Sequence, residues 1–151
     1  MLALMDLNMT DAEAEIRAVI DERIAAIRAR DAVRATACLA EDVVAFELAP
    51  PLALPPGAAA DVQGLAAWLS GFAEIDVEVR DLAIEAGDRV GFARALHHLT
   101  GTRTDGRPVS LWMRSTLCFR REAGGWRIAH AHTSVPFHMD GSFRAAVDLE
   151  P

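Results

Sequence analysis

Cysteine is scarce, with two in 151 residues: Cys38 in an alanine-rich stretch and Cys118 in a strand-like one. Neither sits at the spacing of a metal clip or a redox pair, and nothing around them suggests a secreted disulfide framework. The thiols therefore read as reduced and the chain as cytoplasmic. Long apolar runs are missing too. No stretch approaches the ~20 residues a membrane span needs, and the opening MLALMDLNMT is too short and too acidic for a secretory leader. Positive charge is the minority sign, 15 Lys+Arg against 22 Asp+Glu. The arginines are scattered among acids, so no basic stripe exists to release counterions from a phosphate backbone. Neither nucleic acid nor a membrane is an expected partner. Low-complexity tracts and internal repeats are absent as well, and 52% hydrophobic residues in a chain of this length suit one domain with a substantial core.

What is present starts with helices. Thr10 followed by Glu13 has the form of a capping box, in which the two side chains satisfy orphan amides at a helix start. Ile16, Val19, Ile20, Ile24 and Ile27 then recur at steps of three and four, predicting a helix to about Arg30 with one apolar stripe. Asp31 can cap a shorter helix through AVRATACLA, and EDVVAFELAP carries β-branched and aromatic residues into a proline stop as a first strand. PPLALPPGAAADVQ reads as a loop, because proline cannot keep a ladder, and leads into a third helix over GLAAWLSGF. From Ile75 the period changes. Four long strand-like stretches, separated by the turn signals AGD, TDG and EAGG, predict an antiparallel meander. Helices first and a long sheet second make an α+β domain with the helices over one face. Residues 1–9 are expected as a flexible N-terminus, 10–138 as the domain and 139–151 as a tail.

Residues two apart on a strand point to the same face. In the last strand that groups Trp126, Ile128, His130 and His132, and in the strand before it Trp112, Arg114, Thr116 and Cys118. A connection spanning Arg121 to Gly125 would set Arg120 opposite Trp126, Thr116 opposite His130 and Arg114 opposite His132. The preceding hairpin leaves two options: a two-residue Asp105-Gly106 turn puts His97 opposite Arg114, whereas an odd-numbered turn brings His98 and Arg94 to the Arg114 face. The expectation is that the even-numbered side chains of the last two strands look inward beneath the helices. HAH at 130–132 with His97 or His98 also has the form of a metal clip, but the neighbouring arginine would repel a dication, and no metal is expected.

The order of elements, DRVGFAR early in the meander and the ending FRREAGGWRIAHAHTSVPF resemble the SnoaL-like group of the nuclear transport factor two-like superfamily. That superfamily includes ketosteroid isomerases, polyketide cyclases and the association domain of calcium/calmodulin-dependent kinase. The resemblance runs from about Thr10 to Phe137. It implies a cone-shaped curved antiparallel sheet packed against three N-terminal helices, a ligand pocket between them, and a homodimer through the sheet's outer face. AEDVVAFE resembles the strand that carries the base of ketosteroid isomerases, which puts Glu47 at the base position. The chain has no tyrosine, however, and offers Arg114 and Thr116 where the oxyanion-binding acid of those enzymes would be sought. RVGFAR aligns Arg94 with a pocket arginine of the kinase domain.

The reading that follows is a small-molecule-binding domain doing cofactor-independent acid/base chemistry of isomerase, cyclase or dehydratase/hydratase type on a compound with a carbonyl or carboxylate. Glu47 or His132 would move the proton, since imidazole titrates near neutrality and a carboxylate can do so when burial raises its pKa. Arg94 and Arg114 would hold the anionic or carbonyl oxygen, with His98, Trp112, Thr116 and His130 completing the binding set. The bland readings stand beside it: Glu47 paired with an arginine at the rim, the histidines satisfied in the core, and Trp112, Trp68 and Phe72 as packing, as Trp126 is. A non-catalytic binding or dimerisation module of the same fold is the alternative function.

Overall fold

A computed structural model describes residues 10–151; the expected flexible N-terminus, 1–9, lies outside the described residues. Helix α1 spans Asp11–Arg28 and starts where the sequence places it, with the Thr10 hydroxyl accepting from the Glu13 amide at 3.2 Å. Helix α2 is only Ala32–Thr36, capped by Asp31. Cys38, expected to be helical, instead lies in the turn before strand β1, Leu39–Phe46. The proline-rich segment contains one 3-10 turn, Ala58–Ala60. Helix α3, Val62–Leu69, is capped by Asp61, whose carboxylate accepts from the amides of Gln63 and Gly64. The meander follows as β2 Phe72–Ala86, β3 Val90–Arg103, β4 Pro108–Glu122 and β5 Gly125–Ser134.

The five strands form one open sheet in the order β1-β5-β4-β3-β2. Strands β2 to β5 are antiparallel, as expected, while β1 joins β5 in parallel, so the sheet is mixed rather than purely antiparallel. The outer edge of β1 does not face solvent bare: Leu54 N donates to Ala45 O at 3.1 Å and Gly57 N to Val43 O at 2.8 Å. Gly57 has φ +82, and a Cβ there would stand 2.7 Å from the Glu41 carbonyl oxygen, so the loop closes on the edge only with glycine.

One face of the sheet carries the core. Ile16 and Ile20 of α1 pack against Val43 of β1, Ala93 of β3, Phe119 of β4 and Trp126 and Ile128 of β5, all buried. A second cluster joins Ala32 of α2 and Leu69 of α3 to Phe72 and Ile75 of β2, with Leu99 and Val109 packed beside it. The indole of Trp126 is fixed in this layer by donating to Glu15 at 2.8 Å. Burying an aromatic or branched side chain of this size stabilises by roughly 1.5–3 kcal/mol, so these positions decide which way each strand faces.

That decision corrects the sequence expectation. In β4 the residues beneath the helices are Ser115, Leu117 and Phe119, while Arg114, Thr116 and Cys118 turn to the open face. In β5 the alternation breaks. Cys118 pairs with His130 but Phe119 pairs with Ile128, so Ala129 is an extra residue, a β-bulge. The bulge leaves Trp126 and Ile128 under the helices and sends His130 and His132 to the opposite side. The β4–β5 turn is also tighter than expected. Glu122 pairs with Gly125, and the registers become Arg121 to Trp126, Cys118 to His130, Thr116 to His132 and Arg114 to Ser134. In the preceding hairpin Thr102 pairs with Pro108 and Leu96 with Arg114, so the odd-numbered turn is the one adopted.

Candidate functional site

The open face gathers most of the residues singled out in the sequence. His98 stacks on Trp112 with centroids 4.4 Å apart and planes 9° from parallel, and the Arg80 guanidinium lies 5.2 Å from the Trp112 ring. Ser110 Oγ is 2.8 Å from His98 Nε2, and Glu78 lies 3.8 Å from Nδ1. Arg114 Nε donates to Ser134 Oγ at 3.2 Å. Across the sheet Arg94 pairs with Thr116, and Thr116 with His132. His130 Nδ1 is 2.7 Å from the Val44 carbonyl; a carbonyl can only accept, so that nitrogen carries the proton. Phe46 packs edge-on against both rings, at 4.7 Å from His130 and 5.4 Å from His132. Arg94, His98, Trp112, Arg114, Thr116, His130 and His132 thus share one face, but it is the face away from the helices rather than the interior expected of them. Glu47 is exposed just beyond the end of β1.

The helix-covered face holds fewer polar groups, among them His97, which the hairpin left open against His98, and Ser115, which was not in the expected set. His97 alternates with His98 and therefore points under the helices. Ser115, opposite Ala95 across the β3–β4 ladder, is 6% exposed. Both line a small cleft whose other walls include Ile20, Leu82, Ala93 and Leu117. Its volume is about 10 Å³, roughly the room one water needs. No buried side-chain nitrogen or oxygen among the described residues is sealed off without a partner. Arg23 stands nearby, its Nη1 donating to Ala35 O at 2.7 Å and lying 3.9 Å from Cys38 Sγ.

The electrostatics of His97 follow from this setting. Burial, the larger effect, disfavours the charged ring, and the positive charge of Arg23 opposes protonation further; its pKa is held below the usual histidine value of 6.5. A neutral imidazole at neutral pH has one nitrogen free to accept a proton. Among the described residues no group of three or more His, Cys, Asp or Glu is placed to hold a metal ion. A larger open groove of about 660 Å³ lies between the α1–α2 turn and α3, lined by Arg30, Val33, Val62 and Leu69 among others.

Signals for the missed residues existed. Arg23 falls three positions after Ile20 and seven after Ile16, so it lies within the apolar stripe of α1, where a charged residue is out of place unless it has a task. Ser115 sits between Met113 and Leu117 in the apolar register of β4, the register that packing favours.

The sequence pattern of the SnoaL-like domain matches residues 16–138. The chain belongs to the SnoaL-like family. No curated protein matches it, but solved structures do. An NTF2-like protein of unknown function from Pseudomonas putida is 29% identical, with 93% of this chain and 96% of that one covered and a TM-score of 0.81. A nuclear transport factor 2-like superfamily protein from Salmonella enterica is 18% identical over 85% and 94% of the chains, TM-score 0.70. A candidate dehydratase of the NTF2-like family from Streptomyces avermitilis is 13% identical over 80% and 93%, TM-score 0.68. The last two show likeness of fold. This SnoaL-like domain therefore has the α+β architecture that the resemblance implied, with the sheet left open rather than closed. No helix among the described residues is long and apolar enough to cross a membrane.

Proposed function

We propose that this SnoaL-like domain binds a small organic molecule carrying a carbonyl or carboxylate on the helix-covered face of its sheet and moves a proton on it without a cofactor. His97 takes and returns the proton. One observation carries the reading: the half-buried His97 imidazole, its pKa lowered by burial and by the charge of Arg23, lines one cleft together with Ser115. A general base works best when it is unprotonated at the working pH and within reach of its proton, and His97 meets the first condition. Arg23 supplies positive charge beside it, the sign that stabilises an enolate or a carboxylate. Glu47, exposed past the end of β1, is reassigned from base to a rim position.

The test needs no knowledge of the natural ligand. Small ketones incubated with the protein in D2O and followed by NMR should exchange the hydrogens beside the carbonyl faster than with the same concentration of free imidazole. His97→Gln should abolish the excess while ligand-induced shifts persist. Exchange that is unaffected by His97→Gln would overturn the assignment.

A second reading concerns the open face. Trp112 stacks on His98 there and Phe46 packs on His130 and His132, with Glu74, Asp76 and Glu78 on β2 and Arg94 and Arg114 on β3 and β4. Acids on one side of the patch and arginines on the other are a charge pattern that an isologous homodimer can use. We infer that two copies pair through it; the non-catalytic dimerisation module remains the reading if His97 proves idle.

A further inference from the structure

We infer that Ser110, His98 and Glu78 form a nucleophile–base–carboxylate line on the open face, a second site at which the chain splits small carboxylic esters through an acyl-serine. It is separate from the proton transfer read at His97, and its failure would leave that reading untouched. Each residue comes from a different strand: Glu78 of β2 is opposite His98 of β3, and Ser110 of β4 lies diagonally beyond, opposite Thr100. All three point away from the helices.

Three observations lead to it. The first is the hydroxyl–imidazole contact: Ser110 Oγ is 2.8 Å from His98 Nε2, within the reach a base needs to take a serine proton. The second is what fixes the ring. Glu78 stands 3.8 Å from Nδ1, a charge contact rather than a hydrogen bond. A negative charge on that side favours the tautomer with the proton on Nδ1, so that Nε2 accepts from Ser110. Trp112 stacks on the same ring at 4.4 Å, 9° from parallel, which stops it from turning away. The third is a free amide beside the nucleophile. Just beyond the two ends of the β3–β4 ladder, Arg103 N donates to Arg107 O and Arg121 N to Arg89 O, and the register between them is unbroken. Odd-numbered residues of β4 therefore bond β3, and even-numbered ones turn their peptide groups the other way. Strand β5 faces these only from Arg114 onward, where its last partner is Ser134. The Ser110 N–H lies past that point and, among the described residues, donates to no other group. A serine's own amide, left free beside its Oγ, is a donor for the oxyanion that forms when that oxygen attacks a carbonyl.

The reaction balances with water as its one co-reactant. The Ser110 oxygen bonds to the ester carbonyl carbon as its proton passes to His98 Nε2, and the π pair moves onto the carbonyl oxygen, which the Ser110 N–H receives. That pair then returns, the bond from carbon to the alkoxy oxygen breaks, and the leaving oxygen takes the proton from His98 to depart as the alcohol. Water repeats the sequence on the acyl-serine, giving a proton to His98, and the carboxylic acid is released as Ser110 regains its own. Ser110 and His98 are the catalytic residues. Glu78 is a positioning residue, because it acts only through the ring. The site is open on the side where β4 outruns β5, and its floor is Trp112, with the Arg80 guanidinium 5.2 Å from the indole. Such a surface suits a short acyl ester of a flat, aromatic alcohol rather than a long chain that needs enclosing walls.

The experiment uses the full chain and 4-nitrophenyl acetate, with an acid quench and peptide mass spectrometry to locate the acetyl group. The chain has no lysine, so the ε-amines that compete for such an ester in other proteins are missing. Acetyl should appear on Ser110, and nitrophenol should be released faster than with the same concentration of free imidazole. Ser110 is exposed, so Ser110→Ala keeps the fold; it should remove both the label and the excess rate. His98→Gln should slow acylation about a hundredfold, and Glu78→Gln should lower kcat about tenfold with KM unchanged. Acetyl found only on a cysteine or a histidine, or release that Ser110→Ala does not change, would overturn the proposal. An unaltered kcat in Glu78→Gln would overturn the three-residue line as drawn.

Discussion

The two faces of this sheet are written in the same strands, residue by residue, and differ in almost every property. Beneath the helices, β3 to β5 present Ala93, Ala95, Leu117, Phe119, Trp126 and Ile128, with His97, Ser115, Thr133 and Arg121 among the exceptions. On the other side the neighbours in sequence are Arg94, His98, Trp112, Arg114, Thr116 and His132. Chemical richness therefore marks the wrong side for an interior site. The open face keeps its polar groups busy with one another, through the His98–Ser110 contact, the Arg114–Ser134 bond and the His130–Val44 bond. On the covered face His97 and Ser115 line a cleft. A polar group without a protein partner in an apolar setting has more to gain from a ligand than one already satisfied.

Substitution of adjacent residues is the sharpest way to break this comparison. Phe119→Ala removes a ring that is 2% exposed and should cost about 3–5 kcal/mol in chemical denaturation, whereas Cys118→Ala, one residue away on the open face, should stay within about 1 kcal/mol. Equal losses at the two positions would mean that the faces are not energetically distinct. Next in size is the pH dependence attached to His97. Because its pKa is lowered on folding, the unfolded chain binds the proton more readily. Stability should be complete above the unfolded value of ~6.5 and fall as pH drops below it, towards the folded value. His97→Leu should flatten that part of the stability–pH curve, and a wild-type curve already flat there would contradict the burial of the ring. The smallest effect on folding is expected for Trp112→Ala. Loss of its stacking should cost about 0.5–1.5 kcal/mol, but sedimentation should show copies dissociating if they pair through the open face; unchanged association would remove Trp112 from any interface.

The layout of the molecule was legible in the sequence: a Thr10 cap, an isoleucine stripe, a proline-rich break and four long strands led to the right elements in the right order. The side each strand presents was not. A single bulge at Ala129 reverses β5 midway, and nothing in WRIAHAH announces it, because alanines flank the histidines and either register is sterically acceptable. In β4 the choice was available. Met113, Leu117 and Phe119 form the more apolar register, and packing under helices favours them over Arg114 and Thr116. Attention to polar residues at even positions led the other way, and it chose His98 and His132 over His97.

The loop that closes over β1 has a consequence for how copies of this chain can add to one another. Strand-to-strand growth into a ribbon needs a free margin at both ends of the sheet, one to receive and one to offer. Here Leu54 and Gly57 already occupy the β1 margin, leaving β2 as the terminal strand. Edge pairing through β2 alone joins two molecules and then stops, so the same prolines and glycine that interrupt the first half of the chain also cap its polymerisation.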